Sequence, residues 1–191
     1  MIVAVFHPYA MSTFLNVPTS LFYNREVSGY GLENKELNCL AARVLDCKDN
    51  NFCIYLIEQW LLSQLRINST SRREQDIDRI MTVIRQMYSN PNIRISELAS
   101  IACLSKKQFE RVFLAMVGMN PKEYARIVRF QKSLKLMQNQ PEDIVLAQIS
   151  YQCGYSDQSH FIREFRTLSG YTPLSLREIC EPYSDLFTTP L

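Results

Sequence analysis

Histidine and glycine are scarce in this chain, which has two histidines and five glycines among 191 residues. Such numbers argue against a paired-histidine metal centre and against a glycine-rich phosphate loop. The six cysteines include no Cys-x-x-Cys pair, so a zinc site is poorly supported. The sequence also has no nucleophile elbow, P-loop or dinucleotide-binding motif. We therefore predict that the protein is not an enzyme and that it uses no metal ion and no cofactor.

Long apolar runs are missing as well. A helix that spans a bilayer needs about 20 apolar residues, and no run in this sequence reaches that length. The first residues, MIVAVFHPYAM, contain no basic residue ahead of the apolar stretch, unlike a secretory signal. Few glycines and prolines argue against an all-β protein. From these features we expect no membrane association, a cytoplasmic location and free thiols in a reducing compartment.

A segment of the chain occurs twice, 52 positions apart, and this repeat is the main feature of the sequence. Both copies have a residue suited to capping a helix, Ser105 in the first and Asp157 in the second. A helix, a turn and a second helix with an outer basic face are predicted in each copy, which is the helix-turn-helix pattern. The other matching residues are Phe109, Arg111, Phe113, Gly118 and Pro121 in the first copy, and Phe161, Arg163, Phe165, Gly170 and Pro173 in the second.

The repeated segment resembles the DNA-binding domain of AraC/XylS-type transcription regulators. Residues that carry the resemblance include Leu98-Ala99, Gly154-Tyr155 and the run Asp157–Phe161, in addition to the repeated positions. The resemblance implies a regulator that binds double-stranded DNA, with RNA polymerase as a further partner if it activates transcription. Two departures are Cys103, where the family's first turn usually has Gly, and Ser150, where a small Ala is usual.

We predict a mainly α protein with two helix-turn-helix subdomains joined by a long linker helix, preceded by a small helical region with one short strand. Residues 1–66 form the N-terminal region, interpreted as the remnant of a regulatory or dimerisation region, with the strand at Met1–Phe6. Residues 67–75 are a linker, 76–180 the DNA-binding domain and 181–191 a tail. Within that domain the first helix-turn-helix spans about 95–116, the linker helix about 121–138 and the second helix-turn-helix about 144–168.

Charge is distributed as this interpretation requires. Residues 1–75 carry seven basic and seven acidic side chains, whereas residues 76–178 carry fourteen basic and ten acidic ones. The positive excess therefore lies on the repeated segment, as phosphate binding requires. Because the excess is modest, we expect sequence-independent DNA affinity to be modest and sensitive to salt.

Candidate base-reading residues come from the first two turns of the second helix in each copy. The side chains there point away from the two phenylalanines, and Arg, Gln and Glu suit guanine, adenine and cytosine, respectively. Glu110 could instead orient its basic neighbours, and His160 could simply be packed. The predicted base-reading residues are Lys107, Glu110, Arg111, Gln158, Ser159, Ile162 and Arg163, and the predicted phosphate contacts are Lys106, Arg126, Arg129, His160 and Arg166.

The N-terminal region leaves two functions open. The apolar helix predicted at Phe52–Leu65 could join two copies of the chain, or this chain and a relative, into a dimer. The alternative to a regulator is therefore a truncated protein that antagonises a full-length relative by pairing with it. With one predicted strand no β-barrel can close, so we expect no small-molecule effector.

Overall fold

The computed structural model describes residues 2–15, 17–139 and 146–179. In these residues the chain is helical and contains no β-strand, so the predicted mainly α class is confirmed. Two short 3-10 helices lie at Thr19–Phe22 and Gly29–Leu32. The ten α-helices are α1 (Met11–Phe14), α2 (Lys35–Asp46), α3 (Asn50–Asn68), α4 (Ser71–Ser89), α5 (Ile95–Ile101), α6 (Lys106–Val117), α7 (Pro121–Asn139), α8 (Leu146–Gln152), α9 (Gln158–Ser169) and α10 (Pro173–Ile179).

The strand predicted at Met1–Phe6 is wrong for the residues that the structure describes, because residues 2–7 have no regular structure. Val3 is 66% exposed and Val5 is 70% exposed. An extended segment needs a neighbouring strand to satisfy its backbone hydrogen bonds, and the described chain offers none. One apolar side chain of this segment packs against a helix instead: the ring of Phe6 lies 5.2 Å from that of Phe14, in α1.

The linker predicted at residues 67–75 is mostly helical. Helix α3 continues to Asn68 and α4 begins at Ser71, so Ser69 and Thr70 are the only residues of this stretch outside a helix. The arginines, glutamate and glutamine after them have high helix propensity. A segment of such residues can form a helix even though it has no apolar periodicity. Most of the predicted break at 139–143, the start of the second helix-turn-helix at 144–145 and the whole predicted tail lie outside the described residues.

The chain divides into two compact units, and the boundaries between them fall inside α4, inside α5 and directly before α7. The first unit comprises the chain up to Thr82 together with Ala99–Asn120. In it α2 contacts α3, and the buried side chains at their contact include Leu40, Cys53 and Leu56. Asn68, at the end of α3, donates a hydrogen bond to the carbonyl oxygen of Thr13 at 3.0 Å, which fixes α3 to α1.

The second unit comprises Val83–Leu98 and the described residues from Pro121 onward. Its core is built by α7, α8, α9 and α10 around the two phenylalanines of α9. The ring of Phe165 lies 4.9 Å from that of Phe130 and 5.6 Å from that of Phe161, both at steep angles. The buried members of this core are Leu134, Met137, Ile149, Cys153, Tyr155, Phe161, Phe165 and Leu176.

Over the described ranges, no helix combines the length and the apolar character that crossing a membrane requires.

Candidate nucleic-acid interface

Helix α6 presents a basic face to solvent because the opposite face is anchored in the core. Phe109, Phe113 and Met116 are buried, and their helical spacing turns Lys107 and Arg111 outward. The helix begins with a capping box: the Ser105 hydroxyl accepts from the amide of Gln108, whose side chain accepts from the Ser105 amide at 3.2 Å. The first predicted recognition helix is therefore locally well defined.

Helix α9 has the same organisation in the second unit. Asp157 caps it by accepting a hydrogen bond from the amide of His160 at 2.7 Å. Phe161 and Phe165 are fully buried, while Ser159 and Arg163 are exposed on the opposite side. The guanidinium Nε of Arg163 donates to the Ser159 carbonyl oxygen at 3.4 Å, so this side chain runs back along the exposed face toward the helix N-terminus.

The turns of the two copies are similar but differ in length. Leu104 donates to the carbonyl oxygen of Ala99, and Tyr155 donates to that of Ser150, each at 3.0 Å. These equivalents lie 51 positions apart, whereas the caps Ser105 and Asp157 lie 52 apart, so the second turn is one residue longer.

The two departures from the family pattern have different outcomes. Cys103 adopts the left-handed conformation, with φ of +54°, at the position where the second copy has Gly154, with φ of +83°. The first turn thus keeps the required angle without glycine. The hydroxyl that Ser150 has in place of the usual alanine is buried and has no hydrogen-bond partner among the described residues.

The predicted base-reading residues fall into two groups. Lys107 shares one face of α6 with Arg111, and Ser159 shares one face of α9 with Arg163, because each pair is four residues apart. Glu110 and Ile162 are only half-exposed, and Ile162 packs against the core of the second unit. Glu110 forms no ion pair with Lys107 or Arg111 in the described structure. The exposed predicted base-reading residues are Lys107 and Arg111 on α6, and Gln158, Ser159 and Arg163 on α9.

Three of the five predicted phosphate contacts surround one carboxylate that the sequence did not single out. Glu164 of α9 accepts from Arg126 Nε at 2.8 Å and from Arg129 Nη2 at 3.4 Å, both on α7. His160 Nε2 lies 3.7 Å from the same carboxylate, and its Nδ1 lies 3.3 Å from the Ser156 hydroxyl. Lys106 and Arg166, by contrast, are exposed and form no ion pair in the part of the chain that the structure describes.

The ring of Tyr155 packs against two members of this cluster, Arg129 and His160. The guanidinium carbon of Arg129 lies 5.1 Å from the centre of the Tyr155 ring, and the His160 ring packs edge-on to it at 5.5 Å. Burial raises the pKa of the Tyr155 hydroxyl far above its usual range, and the nearby Glu164 carboxylate raises it further. Burial likewise raises the pKa of the Cys153 thiol to about 12, so this cysteine stays protonated and unreactive.

A segment of the N-terminal region packs on the end of α6, which the sequence also did not indicate. The hydroxyl of Thr19 donates to the carbonyl oxygen of Ala115 at 2.8 Å. Gly118 ends α6 with φ of +85°, and a Cβ added there would lie 2.7 Å from the Thr19 carbonyl oxygen. The N-terminal segment and the first recognition helix are therefore parts of one packed unit.

The described residues contain no group of three or more histidine, cysteine or acidic side chains placed to hold a metal ion. One open cavity of about 280 Å³ lies in the first unit, between Leu15, Val17, Leu32, Glu33 and Asn34. Its amide side chain, Asn34, already accepts a hydrogen bond from the amide of Leu37 at 3.0 Å as the cap of α2.

Comparison with known proteins agrees with this geometry. Residues 98–179 match the family model described as a helix-turn-helix domain. The chain is 25% identical over 141 residues to the probable transcriptional regulator LumQ of Photobacterium leiognathi, covering 72% of this chain and 56% of that protein. It is 36% identical over 87 residues to the uncharacterised helix-turn-helix-type transcriptional regulator YdeC of Bacillus subtilis, covering 46% of this chain and 29% of that protein.

A crystal structure of a transcriptional regulator from Chromobacterium violaceum, described as an AraC-type DNA-binding domain-containing protein, is also similar. It has 24% sequence identity and a TM-score of 0.49, and the match covers 53% of this chain and 90% of that one.

The match to the family model defines the class: residues 98–179 are a helix-turn-helix domain. The predicted resemblance to the AraC/XylS type of regulator is confirmed for this region. The chain spans about half the length of LumQ, 56%, and less of YdeC, 29%.

Proposed function

We propose that this protein is a sequence-specific DNA-binding transcription regulator that places α6 and α9 in adjacent major grooves of a promoter site. One observation carries the proposal: a helix-turn-helix domain presents two capped helices, each with an exposed polar and basic face opposite a buried phenylalanine pair. A major groove about 12 Å wide admits such a helix, and side chains in its first two turns reach the base edges.

Within this proposal, Arg111 and Arg163 are the strongest base-reading residues. They occupy equivalent positions, are exposed, and form no ion pair in the described structure. Arginine can donate two hydrogen bonds to one guanine, a contact that discriminates by about 1–3 kcal/mol. Lys107 and Ser159 lie one turn earlier on the same faces and extend each reading surface. Lys106 and Arg166 are the proposed phosphate contacts, because neither forms an ion pair in the part of the chain that the structure describes.

The direct test is selection of binding sites from random duplex DNA at two salt concentrations. We expect enrichment of two short motifs whose centres lie about one helical turn, 10–10.5 base pairs, apart. Enrichment of one motif would limit base reading to one of the two helices. If no motif is enriched and binding disappears at moderate salt, the protein is not a sequence-specific regulator.

The role of Arg163 is tested by Arg163→Ala on the selected site and on random DNA. Loss of a base contact lowers affinity for the selected site by about 1–3 kcal/mol and leaves random DNA nearly unaffected. Arg85→Ala is the matched control, because Arg85 is an exposed arginine on α4 with no ion pair in the described residues. Equal losses on both DNAs for Arg163→Ala would contradict base reading.

We further propose that α3 joins two copies of the chain in an antiparallel pair. Its solvent face carries the exposed apolar side chains Ile54, Tyr55, Leu62 and Leu65. Glu58 and Arg66 are also exposed and lie four residues on either side of Leu62. In a symmetric antiparallel pair centred on Leu62, each Glu58 faces the Arg66 of the other copy, so the face is complementary to itself in charge as well as in apolar character.

The remaining expectations concern the whole regulator. The alternative, an antagonist of a full-length relative, has no support from the comparisons. Residues 1–66 as part of a regulatory region, a cytoplasmic location, and RNA polymerase as a partner of an activator follow from the proposed function and stand with it.

A further inference from the structure

Glu164 is the one acidic side chain on α9, and it is largely withdrawn from solvent. Its side chain is 12% exposed, compared with 39% for Arg126 and 19% for Arg129, its two partners on α7. The carboxylate uses one oxygen for each arginine, with Oε1 at 2.8 Å from Arg126 Nε and Oε2 at 3.4 Å from Arg129 Nη2. One carboxylate thus pairs with both arginines.

The first copy of the repeat shows that the helix-turn-helix does not need an acid at this position. Val112 is the equivalent of Glu164, 52 positions earlier, and it is half-buried on α6. The phenylalanine pair, the cap and the outward-facing arginine are kept in both copies, whereas this position changes from apolar to acidic. The carboxylate is therefore a property of the second unit rather than of the motif.

We propose that Glu164 is a specificity-determining positioning residue that holds Arg126 and Arg129 on the protein and away from DNA phosphates. The inference rests on the proposed function, because it concerns how the same domain distinguishes its site from other DNA. Specificity is a difference between two affinities, and it increases when sequence-independent binding is weakened. Arginines near the DNA strengthen binding to every sequence alike, since phosphate contacts carry no sequence information.

The two arginines are not held equally. Arg129 is also packed over the Tyr155 ring at 5.1 Å, so it keeps one partner when the carboxylate is removed. Arg126 is the more exposed of the two, and Glu164 is the only acid it pairs with in the described chain. Neutralising Glu164 should therefore release Arg126 in particular.

The test is Glu164→Gln, which keeps the size and an acceptor oxygen but removes the charge. Affinity is measured against salt concentration on the selected site and on random duplex DNA. We expect tighter binding to random DNA, a several-fold lower ratio of site to random affinity, and a salt slope steeper by about 0.9, the value for one added phosphate contact. Adding Arg126→Gln to Glu164→Gln should return the slope to that of the original protein.

Glu178→Gln is the matched control, because it removes the same charge from an exposed glutamate of α10 that forms no ion pair in the described structure. It should leave the slope and the affinity ratio nearly unchanged. An unchanged slope and ratio in Glu164→Gln would overturn the inference. Equal loss of affinity on both DNAs with a lower Tm would also overturn it, since Glu164 would then be only structural. If the original protein selects no site, the proposed function fails, whereas the salt slope on random DNA still tests the release of Arg126.

Discussion

At the scale of single residues, backbone conformation explains three positions that side-chain chemistry does not. Cys103, Gly118 and Gly170 all have positive φ, between +54° and +85°. For an L-residue with a Cβ, this left-handed conformation costs about 1–2 kcal/mol relative to the right-handed one. Gly118 and Gly170 differ in what surrounds the Cβ position, whereas Cys103 already has a Cβ, and these differences make each site testable.

Cys103→Gly should stabilise the protein by up to about 1 kcal/mol, because glycine adopts φ of +54° without the steric cost of a Cβ. The free energy of unfolding, measured with urea, checks this. Cys103→Ala is the control: it removes the thiol but keeps the Cβ, so it should give no comparable gain. A gain of the same size in both variants would assign the effect to the thiol instead.

Gly118→Ala and Gly170→Ala should differ although they change equivalent residues with nearly equal φ. A Cβ at Gly170 meets no atom within 4 Å. The free energy of unfolding of that variant should therefore fall only by about 1–2 kcal/mol, the cost of the left-handed conformation for alanine. A Cβ at Gly118 would lie 2.7 Å from the Thr19 carbonyl oxygen, a backbone atom, so that variant should lose clearly more. Equal losses in thermal unfolding would mean that the Thr19 segment does not pack on α6.

At the scale of elements, the two proposed recognition helices, α6 and α9, start in chemically different ways. Ser105 caps α6 with a neutral hydroxyl and a reciprocal bond from Gln108, whereas Asp157 caps α9 with a carboxylate. The hydrogen bond from the His160 amide lowers the pKa of Asp157, and the neighbouring Ser156 hydroxyl lowers it further. Only the second helix therefore has a cap whose strength depends on pH.

Asp157→Asn should remove this pH dependence. A carboxyl whose pKa is lower in the folded than in the unfolded protein stabilises the fold above the ordinary value of 3.8, and this contribution disappears as pH falls through the lowered value. Asparagine caps helices about as well but does not titrate in this range. Urea unfolding from neutral pH to about pH 3 should therefore show a smaller acid loss for Asp157→Asn than for the original protein.

Asp157→Ala separates the charge of this cap from its hydrogen bond. It should be less stable than the original protein at every pH, because no acceptor remains for the His160 amide. Identical pH profiles of the original protein and Asp157→Asn would show that the capping carboxylate makes no electrostatic contribution.

At the scale of the whole molecule, the proposed pairing of α3 predicts a dimer that charge exchange can break and restore. Glu58→Arg places two arginines opposite each other at both ends of the symmetric pair and should weaken the dimer, as should Arg66→Glu. The double variant restores opposite charges and should regain dimerisation. Sedimentation equilibrium over a range of protein concentrations measures the association directly.

Two outcomes would contradict this pairing. A monomer at all concentrations for the original protein would remove the proposed dimer altogether. A double variant no better than the single ones would leave α3 as the interface only in another arrangement, in which Glu58 and Arg66 do not meet.

The sequence by itself determined the features that depend on neighbours within a few turns. The caps Ser105 and Asp157, the proline that opens α7 and the phenylalanine spacing of α6 and α9 act over three or four residues, and the structure confirms each of them. The same local rules placed Arg111 and Arg163 on exposed faces. The repeat indicated the resemblance to AraC/XylS-type regulators, because a DNA-binding domain of that type contains two such copies.

Tertiary structure decided what depends on residues distant in the sequence. An apolar run forms a strand only if another strand lies beside it, so Met1–Phe6 could not be assigned from its composition. The pairing of Glu164 with Arg126 spans 38 residues, and the bond from Thr19 to Ala115 spans 96. No local pattern encodes such contacts, because they arise only when packing of the cores brings the helices together. Which arginines form ion pairs among the described residues was therefore decided by the fold and not by the presence of arginine in the sequence.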